Sequence, residues 1–302
     1  MHATPDLAAP AAAKRPRATS RLLQGNAHTS VSNLFLFPGE FGTFDFFRSA
    51  FLIDPNSVAV FELASILPDA TEQLANVGIP ELAGMYLEEV RRRQPHGPYS
   101  LLGHSAGGII AYEAAQQLLA VGEAVERIYL VDSPCPLAFR PMPSSVLGLM
   151  VDTQADGAFS DTRLTMPEKQ SASIGQGRAT FGLESYTPKR LCPSPGHPIP
   201  RTTYYVSKQG FNPRHVNDPS VGLDGGGKAI IPWLFDTREG VGASGDGWEQ
   251  LVDRTKLKIV PIDGHHTSIM QDPNIRTWAA ELQSSYWDSA FPFKTRSTRR
   301  RL

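Results

Sequence analysis

Short apolar runs alternate with helical stripes along most of the chain. Asn33–Phe37 is apolar on nearly every residue and stops at Pro38-Gly39, as a buried strand does. Ser57–Leu63 repeats the pattern. Ile79, Leu82, Ala83, Tyr86, Leu87 and Val90 then recur at helical spacing and predict a helix over Ile79–Gln94. Tyr99–Gly103 is a third strand. It is followed at once by a helix over Gly108–Val121, which Gly122 ends. Glu126–Val131, Thr202–Ser207, Ala229–Phe235 and Leu257–Ile262 read as four more strands, and Pro273–Trp287 as a closing helix. Strands alternating with helices across short turns predict an α/β class fold, a mostly parallel sheet with helices on both faces.

Two stretches break this rhythm. Residues 1–30 are rich in Ala, Pro, Ser and basic side chains without an apolar period, and read as a disordered basic arm. Pro134–Pro200 holds ten prolines and no clear strand between two strands, and reads as a lid-like insertion. The expected organisation is therefore an arm (1–30), one domain over 31–293 with its insertion at about 134–200, and a basic tail over 294–302.

Composition narrows the function. The 302 residues are 41% hydrophobic and 20% charged, enough for a large core, and no apolar stretch is long enough to span a bilayer. Net charge is −1. Setting both ends aside, 20 basic residues face 29 acidic ones, a net of −9 that argues against nucleic acid as the main partner. Two cysteines, Cys135 and Cys192, make no disulfide framework and point to a reducing, cytoplasmic setting. The chain has no phosphate-binding GxxxxGK[ST] loop and no metal-spaced His/Cys/Asp cluster.

The informative segment is Gly103-His104-Ser105-Ala106-Gly107, a G-x-S-x-G with an apolar strand before it and an apolar helix after it. That is the setting of a nucleophile elbow. The turn presents the Ser105 hydroxyl, exposed at the strand's C-terminal end, over a helix N-terminus that favours negative charge. A serine of ordinary pKa needs a base and an orienting acid, which elbow enzymes supply later in the chain, acid first. Asp132 ends the next strand, on the same edge of the sheet. The loop after the following strand, Ser207–Asn212, has no carboxylate, which favours Asp132; Asp236 is the second candidate. After the last strand, His265 and His266 compete for the base, and His266 is preferred. His104 should point away from the hydroxyl and pack. An oxyanion hole needs two backbone N–H donors. Ala106 offers one, and Gly39 or Glu40, in the turn after the first core strand, offers the other.

Leu34–Gly42, Tyr99–Glu113, Leu130–Pro134 and Gly264–Met270 resemble the thioesterase domains of polyketide and nonribosomal peptide synthases, above all the release domains of fungal non-reducing polyketide synthases. Trp233–Trp248, with its Thr-Arg and Asp-Gly-Trp, resembles the same group. The resemblance implies an α/β-hydrolase fold with Ser105 as nucleophile, Asp132 as acid and His266 as base. It also implies a substrate acyl chain on the phosphopantetheine arm of an acyl carrier protein, with no cofactor bound by the domain itself. Glu40 and His265-His266-Thr267 depart from the family's usual residues at those turns. No carrier motif flanks the domain, so it reads as a free-standing enzyme acting in trans on its carrier partner. Its basic insertion residues Arg140, Lys169, Arg178, Lys189 and Arg190 are candidates to meet the acidic carrier. A general carboxylesterase and a non-catalytic binding module of the same fold are the alternatives.

Overall fold

A computed structural model describes residues 16–39, 53–66, 77–138, 186–193, 195–210, 232–238 and 245–290. Seven strands form one sheet: β1 (Ser20–Gln24), β2 (Ser32–Phe37), β3 (Val58–Leu63), β4 (Tyr99–His104), β5 (Val125–Val131), β6 (Arg201–Ser207) and β7 (Leu257–Ile262). Their order is β1-β3-β2-β4-β5-β6-β7. All neighbouring pairs are parallel except β1 with β3. The helices are α1 (Ile79–Arg93), α2 (Ala106–Ala120), α3 (Pro232–Phe235), α4 (Trp248–Leu251) and α5 (Asn274–Ala290), with a 3-10 turn at Ser268–Met270.

The central parallel strands β2, β3, β4 and β5 are largely apolar and buried on both faces because both faces are covered. One core joins Phe35, Phe37, Phe61, Leu101 and Ile128 to α1 and α2. The other joins Leu34, Leu36, Val60, Leu102 and Val131 to Ile275, Trp278 and Leu282 of α5. Helix α1 turns its apolar stripe inward and leaves Arg91, Arg92 and Arg93 in its last turn, where they suit the helix dipole. Helix α2 lies almost wholly inside, which explains why it is apolar all round.

The chain runs from β2 out to β3 and then returns to place β4 on the other side of β2. This reversal puts the switch point of the sheet at the C-terminal ends of β2 and β4, the position where open parallel sheets hold their ligands.

Two expectations change. Residues 20–24 are not part of a disordered arm: β1 pairs with β3 from Ser20↔Leu63 to Gln24↔Val60, and Arg21 forms an ion pair with Glu62. It is a half-exposed edge strand without a buried face to give it a period. Pro232–Phe235 is a helical turn, not the end of a strand. Its apolar run fits either state, and Pro232 suits the first turn of a helix better than the interior of a sheet. The insertion falls mostly outside the described residues, as do Arg140, Lys169 and Arg178 of the basic patch and the tail over 294–302.

Candidate active site

Ser105 stands between β4 and α2 with φ 55° and ψ −130°, the sharp turn that an elbow demands. Three glycines make it possible by close approach. A Cβ on Gly103 would lie 2.1 Å from the Gly107 backbone, one on Gly107 would lie 2.5 Å from the Phe37 carbonyl oxygen, and one on Gly108 would lie 1.9 Å from Ser133 Oγ. The Ser105 N–H donates to Val131 O (3.0 Å), tying the turn to β5. Its side chain makes no cap bond to its own helix. The hydroxyl instead meets His266 Nε2 at 3.0 Å.

Asp132 follows β5 directly, also at positive φ (41°), and its N–H donates to Tyr205 O on β6. Such backbone conformations cost about 1–3 kcal/mol each and persist where the surroundings over-determine them. His266 arrives from the turn after β7. Gly264 takes φ 96° there, its carbonyl accepts from the Gln209 N–H, and the His265 N–H donates to Ser268 Oγ. His266 Nδ1 and Asp132 Oδ2 are 2.8 Å apart. A carboxylate only accepts, so Nδ1 carries the hydrogen and Nε2 is left to accept from Ser105. Ser105, Asp132 and His266 are 3%, 0% and 2% exposed. The hydroxyl expected at an open surface is therefore enclosed.

Burial alone would raise the Asp132 carboxyl. The hydrogen bond and charge of His266, the Arg238 guanidinium and the Ser207 N–H outweigh it and hold the group at about 2. The second oxygen, Oδ1, accepts from both Ser207 N–H (2.8 Å) and Ser207 Oγ–H (2.9 Å). Asp236, the second acid candidate, is exposed, and the His266 partner is Asp132.

His104 turns away from the hydroxyl. Its Nε2–H donates to the His266 carbonyl (3.1 Å), and its ring stacks on the His266 ring at 4.8 Å. Burial, then the neighbouring His266, push its imidazole down to about 3, so it stays neutral. His265 contacts Thr267 and Ser268 and does not take part in the Ser105–Asp132 chain. Trp233 packs edge-on against His266 at 4.9 Å. Of the oxyanion candidates, Ala106 opens α2, where the first N–H groups have no intrahelical partner. Gly39 lies against the elbow: a Cβ there would sit 4.0 Å from Ser105 Cβ and 3.1 Å from His104 O. Glu40 lies outside the described residues. Among the described residues no group of His, Cys, Asp and Glu could hold a metal ion.

Residues 32–144 match the thioesterase domain family. The non-reducing polyketide synthase terA of Aspergillus terreus is 31% identical over 258 residues, covering 85% of this chain. The non-reducing polyketide synthase PKS1 of Zymoseptoria tritici is 36% identical over 268 residues, covering 86%. The chain is a thioesterase-family protein. It spans only 12% and 11% of those two relatives, so it corresponds to one region of much longer enzymes. The thioesterase domain of NocB, from the nocardicin cluster, has the same fold: the TM-score is 0.57 at 20% identity, over 89% of this chain and 97% of that one. The sequence-based reading of an α/β-hydrolase thioesterase of the polyketide and nonribosomal peptide synthase type therefore holds.

Sequence reasoning assigned no role to Ser207, Arg238 or Asp246 of this chain. Arg238 Nη1 lies 3.6 Å from Asp132 Oδ1, and Asp246 lies 3.3 Å from Nη2. Only the family likeness of Trp233–Trp248 had marked that segment.

Proposed function

We propose that this domain releases an acyl or polyketide chain from the phosphopantetheine thioester of an acyl carrier protein supplied in trans. Ser105 Oγ attacks the thioester carbonyl while His266 Nε2 takes its proton. The carbonyl oxygen becomes an oxyanion held by the N–H groups of Ala106 and of Gly39 or Glu40. As the intermediate collapses, the carbon–sulfur bond breaks and His266 returns the proton to the pantetheine thiolate. Asp132 keeps the imidazole in the correct tautomer and stabilises its cation. Water, or a hydroxyl or carbon nucleophile within the acyl chain, then attacks the acyl-serine with His266 again as base; the bond from the acyl carbon to Ser105 Oγ breaks, His266 returns the proton to Oγ, and a free acid or a ring-closed product leaves.

The observation that carries this reading is the unbroken chain Ser105 Oγ–His266 Nε2 (3.0 Å) and His266 Nδ1–Asp132 Oδ2 (2.8 Å). The polyketide synthase relatives support the choice of substrate class. The experiment is turnover of a set of acyl-loaded carrier proteins beside p-nitrophenyl esters of the same acyl chains, with mass spectrometry of protein and product. Faster release from the carrier thioester is expected. Preference for the oxygen ester would make the protein a general carboxylesterase. Lys189 and Arg190, both exposed, are the described candidates for the carrier contact; reversing both should raise KM for the carrier substrate alone.

A further inference from the structure

We propose that Arg238 is a positioning residue for this reaction, holding the Asp132 carboxylate ionised and fixed through Ser207; the inference rests on the triad reading above. The segment that carries it docks on the loop after β6. The Arg238 N–H donates to Lys208 O (2.6 Å), and a Cβ on Gly210 would lie 1.9 Å from the Phe235 carbonyl oxygen, so only glycine admits the approach. The guanidinium then reaches inward. Nη1 donates to Ser207 O (3.0 Å) and Ser207 Oγ (3.1 Å), and Nη2 donates to Trp233 O. Because the Arg238 guanidinium can only donate to it, the Ser207 hydroxyl directs its hydrogen to Asp132 Oδ1 (2.9 Å). One arginine thus acts on the acid twice, by charge at 3.6 Å and through a hydroxyl whose orientation it sets.

A counter-charge holds the far side. Asp246 Oδ2 lies 3.3 Å from Nη2 and accepts from Tyr204 O–H (2.8 Å). Asp246 has φ 49° and Gly247 φ 102°; the next residue, Trp248, is fully buried and donates from Nε1 to Ser133 O (2.9 Å). The Asp-Gly-Trp turn is thereby anchored beside the residue that follows Asp132. Two carboxylates share this enclosed site, and loss of the cation between them would favour proton uptake by either one. Protonation at Asp132 would weaken its hold on the His266 tautomer.

The test uses the full chain and a small pantetheine thioester, with wild type and Ser105→Ala as references. Arg238→Gln should lower kcat and the rate of fluorophosphonate labelling together, by roughly 10- to 100-fold, the range carried by outer partners of a reacting group. KM should stay within about twofold, because Arg238 does not touch substrate. The acid limb of the kcat/KM profile should move up by about one pH unit, since loss of a neighbouring cation favours proton uptake. Arg238→Lys keeps the charge and should keep the wild-type limb; it decides the matter if Arg238→Gln does not fold. Activity of Arg238→Gln within twofold of wild type, or equal losses in both variants with no movement of the limb, would overturn the proposal. Turnover by Ser105→Ala would instead overturn the triad reading, so the two failures are distinguishable.

Discussion

Gly107→Ala probes how closely the elbow and the oxyanion turn must approach. The added Cβ would stand 2.5 Å from the Phe37 carbonyl oxygen and 2.9 Å from the carbonyl carbon and oxygen of Pro38. Ordinary carbon–oxygen contact begins near 3.3 Å, so the gap must open by roughly 0.8 Å. The obstacle is backbone at the end of β2, which is fixed between β3 and β4 and cannot rotate aside. The displacement falls between Ala106 and Gly39, the proposed oxyanion donors. A misplacement of about 1 Å costs on the order of 100-fold, and loss of one oxyanion donor costs about 3 kcal/mol. We expect kcat to fall by about 100- to 1,000-fold with little change in KM. Overpacking should also remove about 1–3 kcal/mol of stability. Steady-state kinetics on a pantetheine thioester, paired with thermal unfolding, separates the two effects. Gly84→Ala is the control: among the described residues its Cβ meets only Gln117 Oε1 at 3.6 Å, and helix α1 should become slightly more stable. Gly107→Ala with more than a third of wild-type kcat would refute the geometric argument.

Asp132→Asn should lower kcat by about three to four orders of magnitude, as loss of the orienting carboxylate does in such triads, while Asp236→Asn stays near wild type; reversed effects in kinetic assays would move the acid to the later segment. His104 makes folding acid-sensitive. Its folded imidazole is held at about 3 against an ordinary 6.5, so below pH 6.5 the unfolded state gains a proton that the folded state refuses. That stability is present above pH 6.5 and lost as pH falls: between pH 7 and 5 it amounts to at most about 2 kcal/mol, or about 3 °C in Tm for a chain of this size. His104→Gln should remove this part of the Tm change, and an unaltered pH dependence would show that His104 is not held neutral. Asp132, held at about 2, should stay charged across that range and lose its contribution only as pH falls from about 4 towards 2.

The legible parts of this protein are those whose cause is local. The strand, the Gly-His-Ser-Ala-Gly turn and the apolar helix adjoin in the chain, so Ser105 could be placed from its neighbours alone. Asp132 and His266 were reachable because parallel strands end on one edge of the sheet. What escaped depends on distant partners. Strand β1 is held by Glu62 and an edge ladder, not by an apolar period. The run ending at Phe235 fits strand and helix equally until Gly210 and Lys208 dock it. Arg238 and Ser207 meet Asp132 only after β5, β6 and the segment after α3 converge. The approach of Gly39, after β2, and of His266, after β7, to Ser105 is equally non-local.

The central claim is that Ser105 is the group that takes the acyl chain. Labelling with a fluorophosphonate, followed by peptide mass spectrometry, tests it most directly. A single adduct on the peptide containing Ser105 is expected, with loss of thioesterase activity in step with labelling, and neither adduct nor turnover in a folded Ser105→Ala. An adduct on another residue, or turnover retained by Ser105→Ala, would contradict it.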